Sequence, residues 1–284
     1  MDYIYKTLNK YKTNLEDMGY EVLYVGLYGS QNYCLDDELS DIDVKVIVMP
    51  TLDQIINRKV ISKVYTFDEG DADVKDIITF AEVIAKGNFS YIESVHTEYS
   101  IGDKEVKAMF AAVPVDFKSV LGAMYEKRKA LTHRYPSKIH EIDTYGYDGK
   151  QLHHMIRLGR IIDKRPACGY LKHEQVDDKQ YLIDVKRNTA GIGLSDAIEY
   201  ADNLLEQYSF KDFEYERQEI DVSSYIEKQI KVRLINESDD RYIEQRRTFG
   251  ERIPNADLKR FPMLKEYEGE DITYFIYSEL EINH

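Results

Sequence analysis

The N-terminal part of the chain combines one helical and two strand-like hydrophobic patterns. Apolar and aromatic side chains recur at helical spacing over residues 1–18, which predicts an amphipathic helix. Runs of Val, Leu, Ile and Tyr follow at 21–27 and 42–49, and they end at Gly-Ser and at Pro50. Short apolar runs bounded by turn residues predict buried strands that lie next to each other.

Further strands and helices are predicted before the chain changes character near residue 102. Residues 64–67 and 71–75 have a strand-like composition and flank a turn. Asp76 can cap the helix that follows, because its carboxylate can accept hydrogen bonds from the free N–H groups of a first helical turn. Gly87-Asn88 ends this helix, and another helix is predicted over 90–96.

Helical periodicity dominates the rest of the chain. The helices predicted there cover residues 113–131, 149–162, 180–186, 195–208 and 225–234. This change predicts an α+β protein, with an N-terminal α/β domain (a mixed sheet with flanking helices) followed by a mostly α-helical domain. We place the α/β domain at 1–105, the helical domain at 106–236 and a charged C-terminal appendage, with one short strand over 272–277, at 237–284.

Composition argues against several kinds of protein. The 284 residues carry a net charge of −14, which disfavours sequence-independent binding along DNA because phosphate contacts normally use Lys or Arg. No apolar run approaches the roughly 20 residues that span a membrane, and the N-terminus lacks the apolar core of a signal peptide. We therefore expect a cytoplasmic protein without a membrane partner. Cys34 and Cys168 are too few for a disulfide framework or a structural zinc site.

Two aspartates open the second predicted strand. Side chains alternate faces along a strand, so Asp41 and Asp43 project to the same side. Adjacent carboxylates repel each other unless a cation offsets their charge, and Mg²⁺ carrying substrate phosphates prefers such oxygen ligands. The preceding Gly29-Ser30 turn allows close backbone approach and offers a hydroxyl and N–H groups to a phosphate. The motif predicts a metal–nucleotide site; the alternative is a solvated acidic loop.

This motif resembles that of the nucleotidyltransferases of the DNA polymerase beta type, which have a Gly-Ser turn, a spacer, a paired Asp-x-Asp and a third carboxylate on a later strand. Within that superfamily the chain is most similar to the RNA-repair-associated (RlaP-like) group of phage and bacterial proteins. The resemblance covers about residues 23–162. It rests on GSQNY with SDID, on residues 71–80, on Lys86-Gly87-Asn88 with Glu93, and on YDGKQLHHMIRL at 147–158. Three residues depart from the family pattern: Cys34, which replaces a usual glycine, Phe89 and Gln151.

The resemblance implies two Mg²⁺ ions, for which Mn²⁺ could substitute, and an NTP as substrate. The metal ligands would be Asp41, Asp43 and Asp71. Asp73 shares a strand face with Asp71 and is the reserve candidate for the third catalytic carboxylate. The nucleotide would be bound at Gly29, Ser30 and Gln31.

A second cluster lies on the helix predicted from Gly149. Lys150, His154 and Arg157 share one face of this helix. Facing a nucleotide, they could hold the triphosphate and offset the charge on a leaving diphosphate; the alternative is a solvated basic face. With the resemblance we favour nucleotide binding, and we interpret His153 as structural.

Residues 125–138 form the most basic stretch of the acidic chain. Aromatic and cationic side chains interleaved in this way can grip an RNA end by stacking and phosphate contacts, or can form the exposed face of a helix. Arg246-Arg247 and Lys259-Arg260 are weaker candidates for the same role in the appendage.

Together these features predict a Mg²⁺-dependent nucleotidyltransferase that transfers NMP from an NTP to an acceptor hydroxyl. The family's association with RNA repair implies an RNA end, tRNA-like, as the acceptor. One alternative is nucleotidylylation of a partner protein such as a toxin, which the acidic net charge favours. Another is a catalytically retired nucleotide- or RNA-binding protein, which the intact set of acids disfavours. No base, number of added nucleotides or oligomeric state is predicted.

Overall fold

Alternating apolar side chains build a five-stranded mixed sheet, which is the centre of the fold. Its strands are β1 (Glu21–Tyr28), β2 (Asp43–Met49), β3 (Ser62–Phe67), β4 (Gly70–Asp76) and β5 (Ser100–Gly102). The sheet order is β3-β4-β2-β1-β5, in which β2 and β4 are parallel and the other neighbours are antiparallel. This computed structural model describes residues 2–37, 40–232, 264–268 and 273–277.

Helices flank the sheet and dominate the second half of the chain. They are α1 (Asp2–Asp17), α2 (Leu52–Ile56), α3 (Ile77–Ile84), α4 (Phe89–His96), α5 (Lys104–Ala111), α6 (Phe117–Ala130), α7 (Ile139–Tyr145), α8 (Gly149–Lys164), α9 (Val176–Lys186), α10 (Leu194–Ser209) and α11 (223–232). The predicted α+β class is therefore confirmed. No described helix is long and apolar enough to cross a membrane.

The alternation of the strands separates the apolar face from the face that carries polar chemistry. Leu8, Tyr11 and Leu15 of α1 pack with the buried valines of β1, β2 and β4 in one hydrophobic cluster. Asp43 and Asp73 are on neighbouring strands and project to the opposite face, because their positions alternate with those valines. One face of the sheet thus packs in the hydrophobic core, and the other face carries charged groups.

Several sequence predictions need correction at their boundaries. The helix predicted over 113–131 begins only at Phe117, because the Asp116 carboxylate accepts from the Lys118 N–H and caps it there. β2 begins at Asp43, so Asp41 lies just before the strand rather than on it. Sequence analysis did not find β5, α5 or α7, which are short elements with few hydrophobic repeats.

Residues Met1–Val222 form one unit and Ser223–His284 form another. In the second unit, the strand predicted over 272–277 is found at Thr273–Tyr277, where it pairs antiparallel with Leu264–Glu268. Most of the predicted appendage, including its two basic pairs, lies outside the described residues. The boundaries proposed at 105 and 236 stay predictions.

Asp76 should be an important capping residue in this fold. Its buried carboxylate accepts from the N–H and the hydroxyl of Thr79, at 2.8 and 2.7 Å, and from the Ile61 N–H at 2.8 Å. Asp76→Ala should lower the free energy of unfolding in urea by about 2 kcal/mol or more. Asp116→Ala, which removes one cap bond, should cost about 1 kcal/mol; equal losses would contradict this ranking.

Candidate active site

A cleft of about 470 Å³ opens between the start of β2 and the helices that follow residue 130. Asp41 and Asp43 lie on one side of it, and we call this pair the acidic wall. Lys138, Lys150, Lys186 and Arg187 also line it, together with the acids Glu141 and Asp148, and we call the four cations the basic wall. Ser30, Tyr145 and His154 also line the cleft. Charges of opposite sign therefore face one polar space.

The acidic wall carries negative charge that the protein only partly offsets. One oxygen of Asp43 accepts a hydrogen bond from the Asp71 N–H at 3.0 Å. Burial raises the pKa of Asp43, and the carboxylates of Asp41 and Asp71 raise it further, whereas Lys150 lowers it. Asp41 and Asp71 thus lie close enough to Asp43 to disfavour its charged form, since Asp41 lies just before β2 and Asp71 lies on the neighbouring β4. A cation placed among them would relieve this repulsion.

Asp71 and Asp73 have different partners although they share a strand face. Asp73 forms ion pairs with Lys45 at 2.7 Å and Lys75 at 3.1 Å, and it accepts from the Tyr91 hydroxyl at 2.9 Å. Burial opposes ionisation of Asp73, but the two lysines outweigh burial and lower its pKa. Asp71 accepts from the Thr66 hydroxyl at 2.7 Å. Two lysines therefore offset the charge of Asp73, whereas Asp71 has no lysine ion pair among the described residues.

The acidic residues fit the donor chemistry of a hard divalent cation without forming a closed site. Within the described residues, no three Asp, Glu, His or Cys side chains converge as a ready-made metal centre. Neither Asp71 nor Asp73 belongs to the described lining of the cleft. Oxygen donors that repel one another are nevertheless the set that Mg²⁺ or Mn²⁺ would bind. The metal assignments of Asp41, Asp43 and Asp71 stay predictions.

The Gly29 turn lies directly against the acidic wall. Gly29 has a φ of 91°, and a Cβ at this position would lie 3.7 Å from an oxygen of Asp43. A single 3-10 turn (Ser30–Tyr33) follows and ends at Cys34, whose φ of 61° is in the left-handed region that favours glycine. Cys34 therefore occupies a position where the backbone does suit the glycine usual in the family.

The predicted nucleotide-binding residues of this turn differ in their placement. Ser30 lines the cleft, whereas Gln31 is outside its described lining. The Gly29 N–H is not directed to the cleft, because it donates to Glu93 Oε1 of α4 at 2.8 Å. The same oxygen accepts from the Asn32 side chain at 3.3 Å. Gly29, Ser30 and Tyr33 of this turn all line the cleft, and Ser30 is the one that offers it a hydroxyl without an aromatic ring.

Helix α8 places its three predicted residues at different depths. The Asp148 carboxylate caps the helix by accepting from the Lys150 N–H at 3.0 Å. The exposed Lys150 side chain and His154 line the cleft. Arg157 is buried instead, with its guanidinium 3.9 Å from the centre of the Tyr33 ring. Arg157 is thus absent from the cleft lining, but it packs on Tyr33, which belongs to that lining.

The neighbouring His153 behaves as a structural residue. It is 3% exposed, and its Nδ1 lies 2.8 Å from the Leu182 carbonyl oxygen in α9. Burial lowers the pKa of His153 to about 3, so the ring is neutral and donates this hydrogen bond. The bond ties α8 to α9 and helps to bring the end of α9 to the cleft.

Lys186 and Arg187 of the basic wall were not predicted from the sequence, and Lys138 was predicted only as part of the basic stretch 125–138. Lys138 precedes α7, and Lys186 and Arg187 lie at the end of α9. Arg187 pairs with Asp37 at 2.6 Å, and Lys186 donates to the Ser40 hydroxyl at 3.2 Å. These residues are far from Asp41 and Asp43 in the sequence, so local patterns give little indication that they line the same cleft. The Lys-Arg pair at a helix end was the only local signal.

The basic stretch 125–138 is largely paired within the protein. Its ion pairs are Arg128–Asp202 at 2.6 Å, Lys129–Glu126 at 2.7 Å, Arg134–Asp143 at 2.7 Å and Lys138–Glu141 at 2.9 Å. Tyr125 and Tyr135 are exposed. A phosphate chain binding here would compete with these carboxylates.

Comparisons with known proteins do not assign the chain to a family. No protein-family model matches the chain, and no curated protein matches it. Among solved structures, it is similar to a nucleotidyltransferase-like protein from Exiguobacterium sibiricum 255-15, with 14% identity over 90% of this chain and 91% of that one. The TM-score is 0.25, which is too low to carry an argument about this chain.

Glu93 should make folding stability depend on pH. Burial raises the pKa of Glu93 to about 7, although the Arg157 charge and the bonds from Gly29 and Asn32 oppose this. A folded pKa above the ordinary value of 4.5 means that stability is highest below that value and falls as the pH rises through about 7. The loss should be about 3 kcal/mol at most.

Glu93→Gln retains an acceptor oxygen without the ionisation, so its unfolding free energy should change less than that of the wild type between pH 4.5 and 7. Urea titrations at several pH values measure this difference. Parallel curves for the two proteins would show that Glu93 does not titrate in this range.

Proposed function

We propose that the chain is a divalent-metal-dependent nucleotidyltransferase that transfers NMP from an NTP to an acceptor hydroxyl. The observation that carries the proposal is that the acidic wall and the basic wall line the same cleft. Cations on protein can bind the phosphates of a triphosphate, and carboxylates can bind the metal ions that accompany them. The resemblance to polymerase beta-type enzymes, closest to the RNA-repair-associated group, is consistent with this assignment.

In this proposal the acidic wall holds the metal ions and the basic wall holds the triphosphate. Asp41 and Asp43, with Asp71 beside them, would hold the metal ions. Bound divalent ions would offset phosphate charge and lower the pKa of the attacking hydroxyl. Lys150, which has no ion-pair partner among the described residues, would bind the triphosphate and stabilise the diphosphate as it leaves. Lys138, Lys186 and Arg187 would add to this only in competition with Glu141 and Asp37. Ser30 would orient the phosphates from the turn.

The reaction balances without any further reactant. The acceptor oxygen forms a bond to the α-phosphorus, while the bond from that phosphorus to the bridging oxygen breaks. The electron pair of the broken bond leaves with the diphosphate. The hydroxyl proton is taken up by a carboxylate of the acidic side, for which we propose Asp71.

The acceptor that the resemblance implies is an RNA end. A protein acceptor is the second candidate, and the paired basic stretch favours it, since Arg128, Lys129 and Arg134 already have carboxylate partners. The net charge of −14 also disfavours a long nucleic acid. A side-chain hydroxyl on a partner protein would need fewer phosphate contacts than RNA does.

Transfer from labelled nucleotides tests the proposed function. The purified protein is incubated with Mg²⁺, each of the four α-labelled NTPs in turn, total cellular RNA and a protein extract. Label on RNA identifies a terminal transferase and its base, and label on protein identifies the second candidate. Absence of label from both fractions, with every NTP, would contradict transfer to either acceptor.

Asp43→Asn should remove activity without unfolding the protein. The substitution is nearly isosteric and relieves repulsion with Asp41 and Asp71, but it removes a charge needed for metal binding. Since metal stabilisation of a transition state contributes several kcal/mol, we expect transfer to fall by at least about 100-fold. Asp53→Asn, which changes an exposed carboxylate on α2, is the matched control. Equal activity in the two variants would contradict the role of Asp43.

Lys150→Ala should weaken NTP binding. Lys150 is exposed, lines the cleft and has no ion-pair partner among the described residues. Loss of one phosphate contact should raise the Kd of a non-transferable NTP analogue about tenfold. The difference should shrink as salt increases, because the cleft is open to solvent. Lys12→Ala on α1 makes the same charge change elsewhere and should leave the Kd unchanged; a similar effect of both variants would refute a local contact.

A further inference from the structure

Glu93 is a buried acid that neither wall of the cleft explains. It lies within α4 and is 2% exposed, in a part of the fold where most buried side chains are apolar. Burying a carboxyl group costs free energy unless hydrogen bonds replace those of water. The partners of Glu93 therefore indicate what it does.

Both hydrogen bonds of Glu93 go to the Gly29 turn. Its Oε1 accepts from the Gly29 N–H at 2.8 Å and from the Asn32 side-chain amide at 3.3 Å. Asn32 also donates to the Leu27 carbonyl at 2.8 Å and accepts from the Thr97 hydroxyl at 2.6 Å. One carboxyl oxygen thus joins the two ends of the turn to α4.

The other side of the turn is held by the helical half of the chain. The Arg157 guanidinium lies over the Tyr33 ring, and the His173 N–H donates to the Tyr33 carbonyl at 2.9 Å. Arg157 also opposes the burial effect on the pKa of Glu93, so its positive charge is near that carboxyl group. The turn is therefore fixed between α4 and α8, next to Asp43.

We propose that Glu93 is the positioning residue of the Gly29 turn: through Gly29 and Asn32 it sets where Ser30 lies relative to Asp41 and Asp43. This inference rests on the proposed function, because Ser30 and the aspartates are the groups assigned to the nucleotide. Glu93 is not itself among the residues that line the cleft, but its hydrogen-bond partner Gly29 is. It acts on a bound triphosphate only through the turn. Nucleotide binding therefore depends on the hydrogen bonds of Glu93 and not on its charge.

Three variants separate this role from a general effect on folding. Glu93→Ala removes the acceptor, whereas Glu93→Gln retains an acceptor oxygen for both donors. Ser94→Ala is the matched control, because Ser94 is buried on the same helix but its hydroxyl bonds only to the Tyr91 carbonyl in that helix. Thermal unfolding checks that each variant is folded at the assay temperature.

Binding of a non-transferable NTP analogue with Mg²⁺ is the first measurement. Loss of a positioning group typically costs 10- to 100-fold, so Glu93→Ala should raise the Kd by about tenfold or more. Glu93→Gln should remain within about threefold of the wild type, since it keeps the hydrogen-bond acceptor. Ser94→Ala should bind normally. An equal Kd for Glu93→Ala and Ser94→Ala would overturn the proposal.

Hydrogen exchange of the Gly29 amide, without nucleotide, is the second measurement. Glu93→Ala should speed this exchange, and Glu93→Gln and Ser94→Ala should not. Unchanged exchange in Glu93→Ala would overturn the proposal even if the wild type binds nucleotide. A wild type that binds no NTP would instead refute the proposed function, and the exchange result would still decide whether Glu93 positions the turn.

If Glu93→Ala does not fold, Asn32→Ala replaces it, because this variant removes the second donor to Glu93. It should raise the Kd for the analogue in the same direction. Normal binding by a folded Asn32→Ala would overturn the proposal in that case.

Discussion

Repulsion among the carboxylates of Asp41, Asp43 and Asp71 is the constraint on which the site depends. Two neighbouring strands and the segment before β2 bring these groups together, and burial and the neighbouring charges raise the pKa of Asp43. A fold optimised for stability alone would place apolar or paired groups there. Nearby Asp73 shows that alternative, since two lysines neutralise it. Asp41 and Asp43, which have no lysine ion pair among the described residues, line the cleft.

The other groups of the site surround the negative charge of these carboxylates. The basic wall comes from elements far along the chain, and the contact between His153 and the Leu182 carbonyl keeps two of them together. The Gly29 turn lies next to Asp43. Glu93 holds it by accepting from the Gly29 N–H, and Arg157 holds it by packing on the Tyr33 ring. Groups that would contact a nucleotide are thus separate from the buried groups that hold them in place, which is how a site is preorganised.

Local sequence patterns predict the acidic wall well but not its partners. Strand alternation and the Gly-Ser turn act over a few residues, so Gly29, Ser30 and Asp43 can be located without a structure, although Asp41 lies before the strand rather than on it. Alternation alone puts Asp71 and Asp73 on one face and cannot choose between them. The choice depends on the sheet register, which places Lys45 beside Asp73.

Long-range convergence limits the prediction further. The bond from Gly29 to Glu93 spans 64 residues, and that from Arg187 to Asp37 spans 150. No periodicity connects positions so far apart. Helical spacing predicted that Lys150, His154 and Arg157 share one face of α8 and converge on a nucleotide, but Arg157 is buried and does not line the cleft. The Arg157 guanidinium lies over the Tyr33 ring, and helical spacing cannot predict this contact.

The most direct measurement of the central claim is a crystal structure with Mn²⁺ and a non-transferable NTP analogue, using anomalous scattering to locate the metal. We predict an anomalous peak within roughly 2.5 Å of carboxylate oxygens of Asp41 and Asp43, with the triphosphate against Lys150. A metal and nucleotide bound elsewhere, with both aspartates free of metal, would contradict the assignment of this cleft as the active site.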